Sequence, residues 1–277
     1  MFNAMTRAEI WLQDTLDKTL GIEDLANHLG YSSSQIRRQF RQCFDVSPSA
    51  YREKRRLERA AVLLSLTPQN IAQIALRCGY LNHSSFSRAF HRRYQLTPRN
   101  YRHALSGIRH LSLSERHFKT TIVRSQPRQT VLMRLYSAPE QIHGLGVTKY
   151  HANQLECFQT HLEPATPAIS LPDILSEKVE ALEDEPSVHQ IRTDIGLYLE
   201  SSTQANHLAL PVAYRRVAMP SHHYAKTCFE DFSELSQAMT STLIQLMRDQ
   251  KQFHVSGEAP RVLWHPNHLE LQTPLLS

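Results

Sequence analysis

Glycine is scarce in this chain, with 8 in 277 residues, and no glycine-rich stretch resembles a phosphate-cradling loop. Such loops need several residues without a Cβ so that backbone N–H groups can approach a phosphate. Nucleotide-dependent catalysis of that type is excluded. The four cysteines, Cys43, Cys78, Cys157 and Cys228, show neither a CxxC pair nor Cys/His ligand spacing. That argues against a disulfide scaffold or a zinc module and for a reducing compartment. Cys43 and Cys78 fall on predicted helices and read as small apolar groups. No apolar run approaches the roughly 20 residues of a membrane span, and the N-terminus is read as entering a helix directly at Thr6, with no leader pattern. The expectation is a cytoplasmic bacterial protein with no membrane partner. The chain offers no nucleophile–base pair and no paired carboxylates, so it does not read as an enzyme, and no cofactor is implied. Its 16 histidines are dispersed. Only His222-His223 and His265-x-x-His268 lie close together; they read as a strand edge and a turn, and no metal is expected.

One further absence is local. No carboxylate occurs between Arg59 and Ser114. Residues 1–110 carry 17 Lys and Arg against 8 Asp and Glu, whereas residues 111–277 carry 14 against 18. A surface so one-sided lowers the cost of sitting against phosphates.

What is present in that basic part is a repeat. Gly21 to Tyr31 runs on to Phe40, Ser47-Pro48 and Tyr51, and Ile71 to Tyr80 runs on to Phe90, Thr97-Pro98 and Tyr101. Ala26 matches Ala75 and Gly30-Tyr31 matches Gly79-Tyr80 at an offset of 49; Arg38, Phe40, Pro48 and Tyr51 match Arg88, Phe90, Pro98 and Tyr101 at 50. Each copy reads as helix, glycine turn, second helix: the helix-turn-helix arrangement. In the first, Leu25, Ala26 and Leu29 line a short helix, Gly30 ends it at positive φ, and the serines Ser32 to Ser34 supply a cap. Ile36, Phe40 and Phe44 then face inward, with Arg37, Arg38 and Arg41 outside. In the second, Ile71, Ile74 and Ala75 are inward, Gly79 turns the chain and Asn82 caps. Phe86 and Phe90 face the core, leaving His83, Ser84, Ser85, Arg88 and Arg92 outside. Between the copies, Ser49 to Leu66 reads as an uninterrupted helix with Arg52, Lys54, Arg55, Arg56 and Arg59 among its apolar positions. It spans roughly 25 Å at 1.5 Å per residue, suited to holding two reading helices near the approximately 34 Å between successive major-groove faces.

These residues carry a family resemblance. Ile22-Glu-Asp-Leu-Ala26, Gly30-Tyr31-Ser32, Arg38-x-Phe40, Ser47-Pro48-x-x-Tyr51, Ile71-x-x-Ile74-Ala75, Gly79-Tyr80, Phe86-x-Arg88-x-Phe90 and Thr97-Pro98-x-x-Tyr101-Arg102 resemble the AraC/XylS DNA-binding domain. Placement ahead of a second domain is similar to the Rob-like arrangement of that family. The resemblance implies base contacts from Ser34, Arg37 and Arg38 on the first reading helix and from His83, Ser84, Ser85 and Arg88 on the second. Phosphate contacts are expected from Arg41, Arg55, Arg56 and Arg92. The family's best-known members of this type place a large aromatic where Ser34 stands and Gln where Arg37 stands, so their operator sequence does not carry over. Arg37 is suited to a guanine edge.

The domains expected are 1–107 (double helix-turn-helix, all-α), 108–119 (a small, polar, weakly periodic linker) and 120–277. In the last, strands are expected on either side of Pro127 within Thr121 to Tyr136, over Val188 to Glu200, Tyr214 to Met219, Tyr224 to Phe229, Arg261 to Trp264 and His268 to Leu275. A long helix is expected from Phe232 to Gln252 and a weaker one around Lys149 to His161. The fold class is α+β with an antiparallel sheet and helices on one side. Ile191-Arg-x-Asp194-Ile195-Gly196, Pro260-x-x-x-Trp264-x-x-Asn267 and Glu270-Leu-x-x-Pro274-Leu275 resemble a GyrI-like effector-binding domain. That resemblance implies a small aromatic or cationic ligand, with Tyr198, Tyr224, Trp264 and Glu270 as candidate contacts. Related domains often carry an acid at the position of Val262, and its loss argues against a cation.

The function these readings support is sequence-specific transcriptional regulation, as an activator at an asymmetric promoter site. Double-stranded promoter DNA and RNA polymerase are the partners, with a small aromatic effector tuning the second domain. The alternatives are a GyrI-like ligand-binding or hydrolytic protein with an accessory DNA-binding domain, or an architectural binder without sequence preference.

Overall fold

In the computed structural model, the residues described are 2–104, 118–137, 165–170, 191–199, 210, 214–248 and 253–276. The chain divides into two compact units, Met1–Gly107 and Ile108–Ser277. Among the described residues no helix is long and apolar enough to cross a membrane.

Among the described residues the first unit has seven helices: α1 (Phe2–Asp14), α2 (Ile22–Leu29), α3 (Ser33–Phe44), α4 (Pro48–Leu66), α5 (Ile71–Arg77), α6 (His83–Tyr94) and α7 (Pro98–Ala104). Helix α1 starts four residues before the expected Thr6, because residues 2–5 continue its pattern and Met5 is fully buried. Caps set the other boundaries. Ser32 and Gln35 form a reciprocal capping box on α3, Asn70 and Gln73 form another on α5, and Ser47 with Pro48 starts α4. Each satisfies N–H groups that a helix start leaves orphaned. Helix α4 serves both copies: α1 and α3 contact it from the first, and α5, α6 and α7 from the second.

Several contacts recur in both copies. Tyr31 N–H donates to Ala26 and Tyr80 N–H to Ala75. Phe40 meets Tyr51 edge-on at 5.5 Å, and Phe90 meets Tyr101 edge-on at 5.1 Å. The C-caps Asp45 (φ 58°) and Gln95 (φ 54°) are both left-handed. Met5, Ala8, Leu12, Leu25, Ala26, Ile36, Phe40 and Tyr51 form the first core. There the Tyr51 hydroxyl donates to buried Glu9 at 2.7 Å and accepts from Gln13 at 2.7 Å. Cys78 is fully buried, and burial pushes its thiol up to about 12 against the pull of Arg59, Arg56 and Arg77. An un-ionised thiol is a packing group, not a nucleophile.

The second unit carries strands β1 (Thr120–Arg124), β2 (Arg128–Ser137), β3 (Ala165–Ser170), β4 (Ile191–Leu199), β5 (Tyr214–Met219), β6 (His223–Phe229), β7 (His254–Val255), β8 (Arg261–His265) and β9 (His268–Leu276). The sheet order is β1-β6-β9-β8-β3-β4-β2-β5, with β7 on β9, and every pairing is antiparallel. The expected helix from Phe232 to Gln252 is a 3₁₀ turn (Phe232–Glu234) followed by α8 (Leu235–Arg248). Asp231 caps the turn by accepting from Ser233 N–H. Residues 249–252, the expected helix around Lys149 to His161, and the flanks 188–190 and Glu200 of the expected β4 lie outside the described residues. So does most of the linker 108–119. Its last two residues join the second unit: Phe118 is buried, and its carbonyl accepts from Gln245 at 2.5 Å.

The two faces of the sheet differ. Strand residues alternate sides, and α8 covers the face of Thr227, whose hydroxyl meets Thr242 at 2.7 Å. The other face carries charge. Asp194, 6 % exposed, holds Arg134 at 2.8 and 2.9 Å and Arg215 at 2.6 and 3.2 Å. Burial raises the Asp194 pKa, but the two guanidinium groups outweigh it and hold the carboxyl at about 2. Farther along this face Glu270 takes Lys226 at 2.5 Å.

Candidate nucleic-acid interface

The exposed side of α3 presents Ser34, Arg37, Arg38 and Arg41. The spacing follows from burial of Ile36 and Phe40, which turns 34, 37, 38 and 41 to the opposite side. Arg37 lies 3.7 Å from Glu23, an exposed pair of little strength. Arg38 and Arg41 have no ion pair among the described residues. On α6, burial of Phe86, Ala89 and Phe90 leaves His83, Ser84 and Arg88 exposed. Asn82 caps this helix, accepting from Ser84 N–H at 2.7 Å and Ser85 N–H at 3.4 Å. Ser85 is only half-exposed, and its hydroxyl donates back to the Asn82 carbonyl at 2.7 Å. Its proton is thus occupied within the helix start.

The arginines of the spacer are engaged inside the protein. Arg55 pairs with Glu58 at 2.7 Å, both side chains being nearly buried. Arg56 donates from Nε to the Leu16 carbonyl and from Nη2 to the Lys18 carbonyl, each at 2.7 Å, while its guanidinium lies over the Tyr80 ring at 5.8 Å. Burial lowers its pKa from the ordinary arginine value. Arg56 therefore joins three pieces: the segment after α1, the spacer α4, and the Gly79-Tyr80 turn of the second copy. Arg52 similarly donates to the Leu20 carbonyl and to Thr15. Arg92 reaches across from α6 to both oxygens of Glu53 on α4, at 2.9 and 3.1 Å, while remaining 67 % exposed. Of the four arginines expected at phosphates, Arg41 stands open, Arg92 is open but paired, and Arg55 and Arg56 have internal occupations. The partners of Arg56 are backbone carbonyls about 40 residues away, which no spacing in the sequence reveals; Glu58, three residues from Arg55, was a visible signal.

In the second unit the four candidate ligand contacts do not gather. Glu270 pairs with Leu263 and Cys228 in the sheet register, and Trp264 with Leu269, so Trp264 lies on the face opposite Glu270. There it stacks on Phe232 at 5.8 Å and 9°, against the helical side. Tyr198 and Tyr224 do line one cleft, together with Arg128, His222, Arg261 and Gln272. Its volume is about 10 Å³, room for about one water. Arg128, His222 and Arg261 were not anticipated here, although Arg261 is two residues from Leu263 and so shares its face. Among the described residues, metal-ligand chemistry converges at Cys228, His268 and Glu270, whose ligand atoms lie within 4.8 Å of one another. Glu270 is already neutralised by Lys226 and accepts from Gln272 at 2.7 Å, so a metal ion there must displace an ammonium. His265 and His268 close the turn expected of them, their rings stacked at 4.7 Å.

A family model described as a helix-turn-helix domain matches residues 25–104. Regulatory protein SoxS of Escherichia coli strain K12 is 38 % identical over 95 residues, covering 34 % of this chain and 89 % of SoxS. The putative HTH-type transcriptional regulator YkgA of the same strain is 38 % identical over 107 residues, 36 % of this chain and 45 % of YkgA. The right origin-binding protein of that strain is 37 % identical over 93 residues, 34 % of this chain and 32 % of its relative. The chain thus spans under half of the two longer relatives.

Proposed function

The chain belongs to the AraC/XylS family of helix-turn-helix transcriptional regulators, and on that premise we propose that it binds an asymmetric promoter site as one chain and activates transcription there. The observation that carries this reading is the pair of matched exposed faces on α3 and α6, tied to a shared spine by Arg56 and by the Arg92–Glu53 pair. The 19 residues of α4 extend roughly 28 Å at 1.5 Å per residue, a length compatible with α3 and α6 entering successive major grooves. The two faces differ in chemistry: Ser34, Arg37 and Arg38 on one, His83, Ser84, Ser85 and Arg88 on the other. Different readers imply different half-sites, hence a directional site. A directional site gives the bound chain one orientation along the duplex, which contact with RNA polymerase requires. Arg41 and Arg92 are assigned to phosphates, and Arg55 and Arg56 are withdrawn from that role.

The second unit is assigned to effector binding of the GyrI-like kind, supported by its antiparallel sheet, the helix confined to one face and the tyrosine-lined cleft on the other. Selection of duplexes from a random pool by the full chain tests the reading. One asymmetric motif spanning two grooves is the expected result, with transcription rising when that motif is placed upstream of a promoter. Salt-sensitive binding without a motif would instead establish an architectural role.

A further inference from the structure

Among the described residues of the second unit, Arg261 is a buried charge held by neutral groups. It is 8 % exposed, and no carboxylate pairs with it among the described residues. Its partners are neutral. Nη1 lies 3.3 Å from His222 Nε2, and the guanidinium sits over the Tyr198 ring at 5.9 Å. Burial lowers the His222 pKa, although the hydrogen bond to the Pro220 carbonyl favours the charged form. The tautomer that fits has Nδ1–H donating to that carbonyl at 3.1 Å and Nε2 accepting from Arg261. Among the described residues the carboxylates on this face are already taken: Asp194 by Arg134 and Arg215, and Glu270 by Lys226. Arg261 is left over, with Arg128 beside it at the same cleft. A guanidinium removed from water without a counter-charge is costly.

A second observation is independent of charge. The Tyr198 hydroxyl is buried, belongs to a side chain that is 4 % exposed and lines the same cleft, and has no hydrogen-bond partner among the described residues. Buried hydroxyls without partners are rare in folded proteins. Burial pushes this phenol up to about 12 even with Arg261 and Arg128 near it, so at neutral pH it is a donor lacking an acceptor. Donors surround the cleft, and among the described residues no carboxylate lines it.

We propose that this cleft receives one oxyanion group, the carboxylate or phosphate of a small molecule, held by Arg261, Arg128 and the Tyr198 hydroxyl. The proposal rests on the effector reading of the second unit and names its ligand class. The cavity of about 10 Å³ accepts one oxygen atom of such a group. The remainder of the ligand extends outward past Gln126, the exposed residue of the lining. Cations are repelled by the two guanidinium groups, and a neutral aromatic leaves Arg261 as it found it.

The test is calorimetry on the full chain at constant ionic strength, with inorganic phosphate, benzoate, benzyl alcohol and benzylamine as probes and chloride as the background ion. Saturable 1:1 binding of phosphate or benzoate is expected, with no binding of the alcohol or the amine; whichever anion binds tighter identifies the headgroup. R261Q should weaken the anion at least tenfold, and Y198F several-fold. Without ligand, R261Q should melt no lower than the parent, because it removes an uncompensated charge. Anion binding no stronger than chloride, equal binding by the amine, or unchanged affinity in both variants overturns the proposal. The DNA affinity of the same sample separates the two readings. Anion binding that leaves DNA affinity unaltered keeps this site and removes its regulatory role; specific DNA binding with no anion response removes the site alone.

Discussion

Gly30 and Gly79 occupy matched turns of the two copies with the same backbone angle, φ +75° in each, yet their surroundings differ completely. A methyl added at Gly30 meets nothing within 4 Å, whereas at Gly79 it lies 2.3 Å from the Leu16 carbonyl and 2.5 Å from Arg56 Nη2. The first glycine supplies only a conformation. The second supplies a conformation and a vacancy, because the neck of the first copy and the spacer pass through the space a side chain would fill. Duplicated sequence has thus been put to unequal use: one turn is free-standing and the other is where the copies are joined.

The largest expected effect follows from that inequality. Gly30→Ala should cost about 1–2 kcal/mol, the penalty of a left-handed residue. Gly79→Ala should add to it about 1–3 kcal/mol of overpacking against backbone. Urea unfolding of the two variants measures the difference, and equal losses would mean that the junction yields freely. Next comes Arg56→Ala, expected to cost about 2 kcal/mol through loss of charge-assisted hydrogen bonds while leaving the salt dependence of DNA binding unchanged. A slope flattened by about one unit would return Arg56 to the phosphates.

Arg37→Ala and Arg88→Ala compare the copies as readers. Each should cost about 1–3 kcal/mol of binding and relax preference at one or two base pairs, at opposite ends of the site. A base-substitution profile that either variant leaves intact would assign that arginine to the backbone. The smallest effect is Arg41→Ala, which should weaken all sequences alike and lower the salt slope by about one unit, as read from titrations at several salt concentrations.

The helices of the first unit were legible because repetition doubles every signal: Ser32 and Asn82 cap, Phe40 and Phe90 pack, Gly30 and Gly79 turn. Their joining was not, since Arg56 meets carbonyls of Leu16 and Lys18, groups every residue carries and no sequence pattern marks. The strands were legible from alternation, but site membership across them depends on register. Trp264 and Glu270 looked like neighbours in sequence. The two-residue turn at Pro266-Asn267 pairs 264 with 269 and 263 with 270, which sends them to opposite faces. Arg261 and Tyr198 meet only because β3 pairs with both β4 and β8, a long-range arrangement with no local signature.

Sedimentation of the full chain with a duplex carrying the selected motif tests most directly whether one chain reads both half-sites. One chain per duplex at saturation is predicted, with that stoichiometry and the tight affinity both lost when about five base pairs, half a helical turn, are inserted between the half-sites. Two chains on every intact duplex, or affinity indifferent to the insertion, would contradict it.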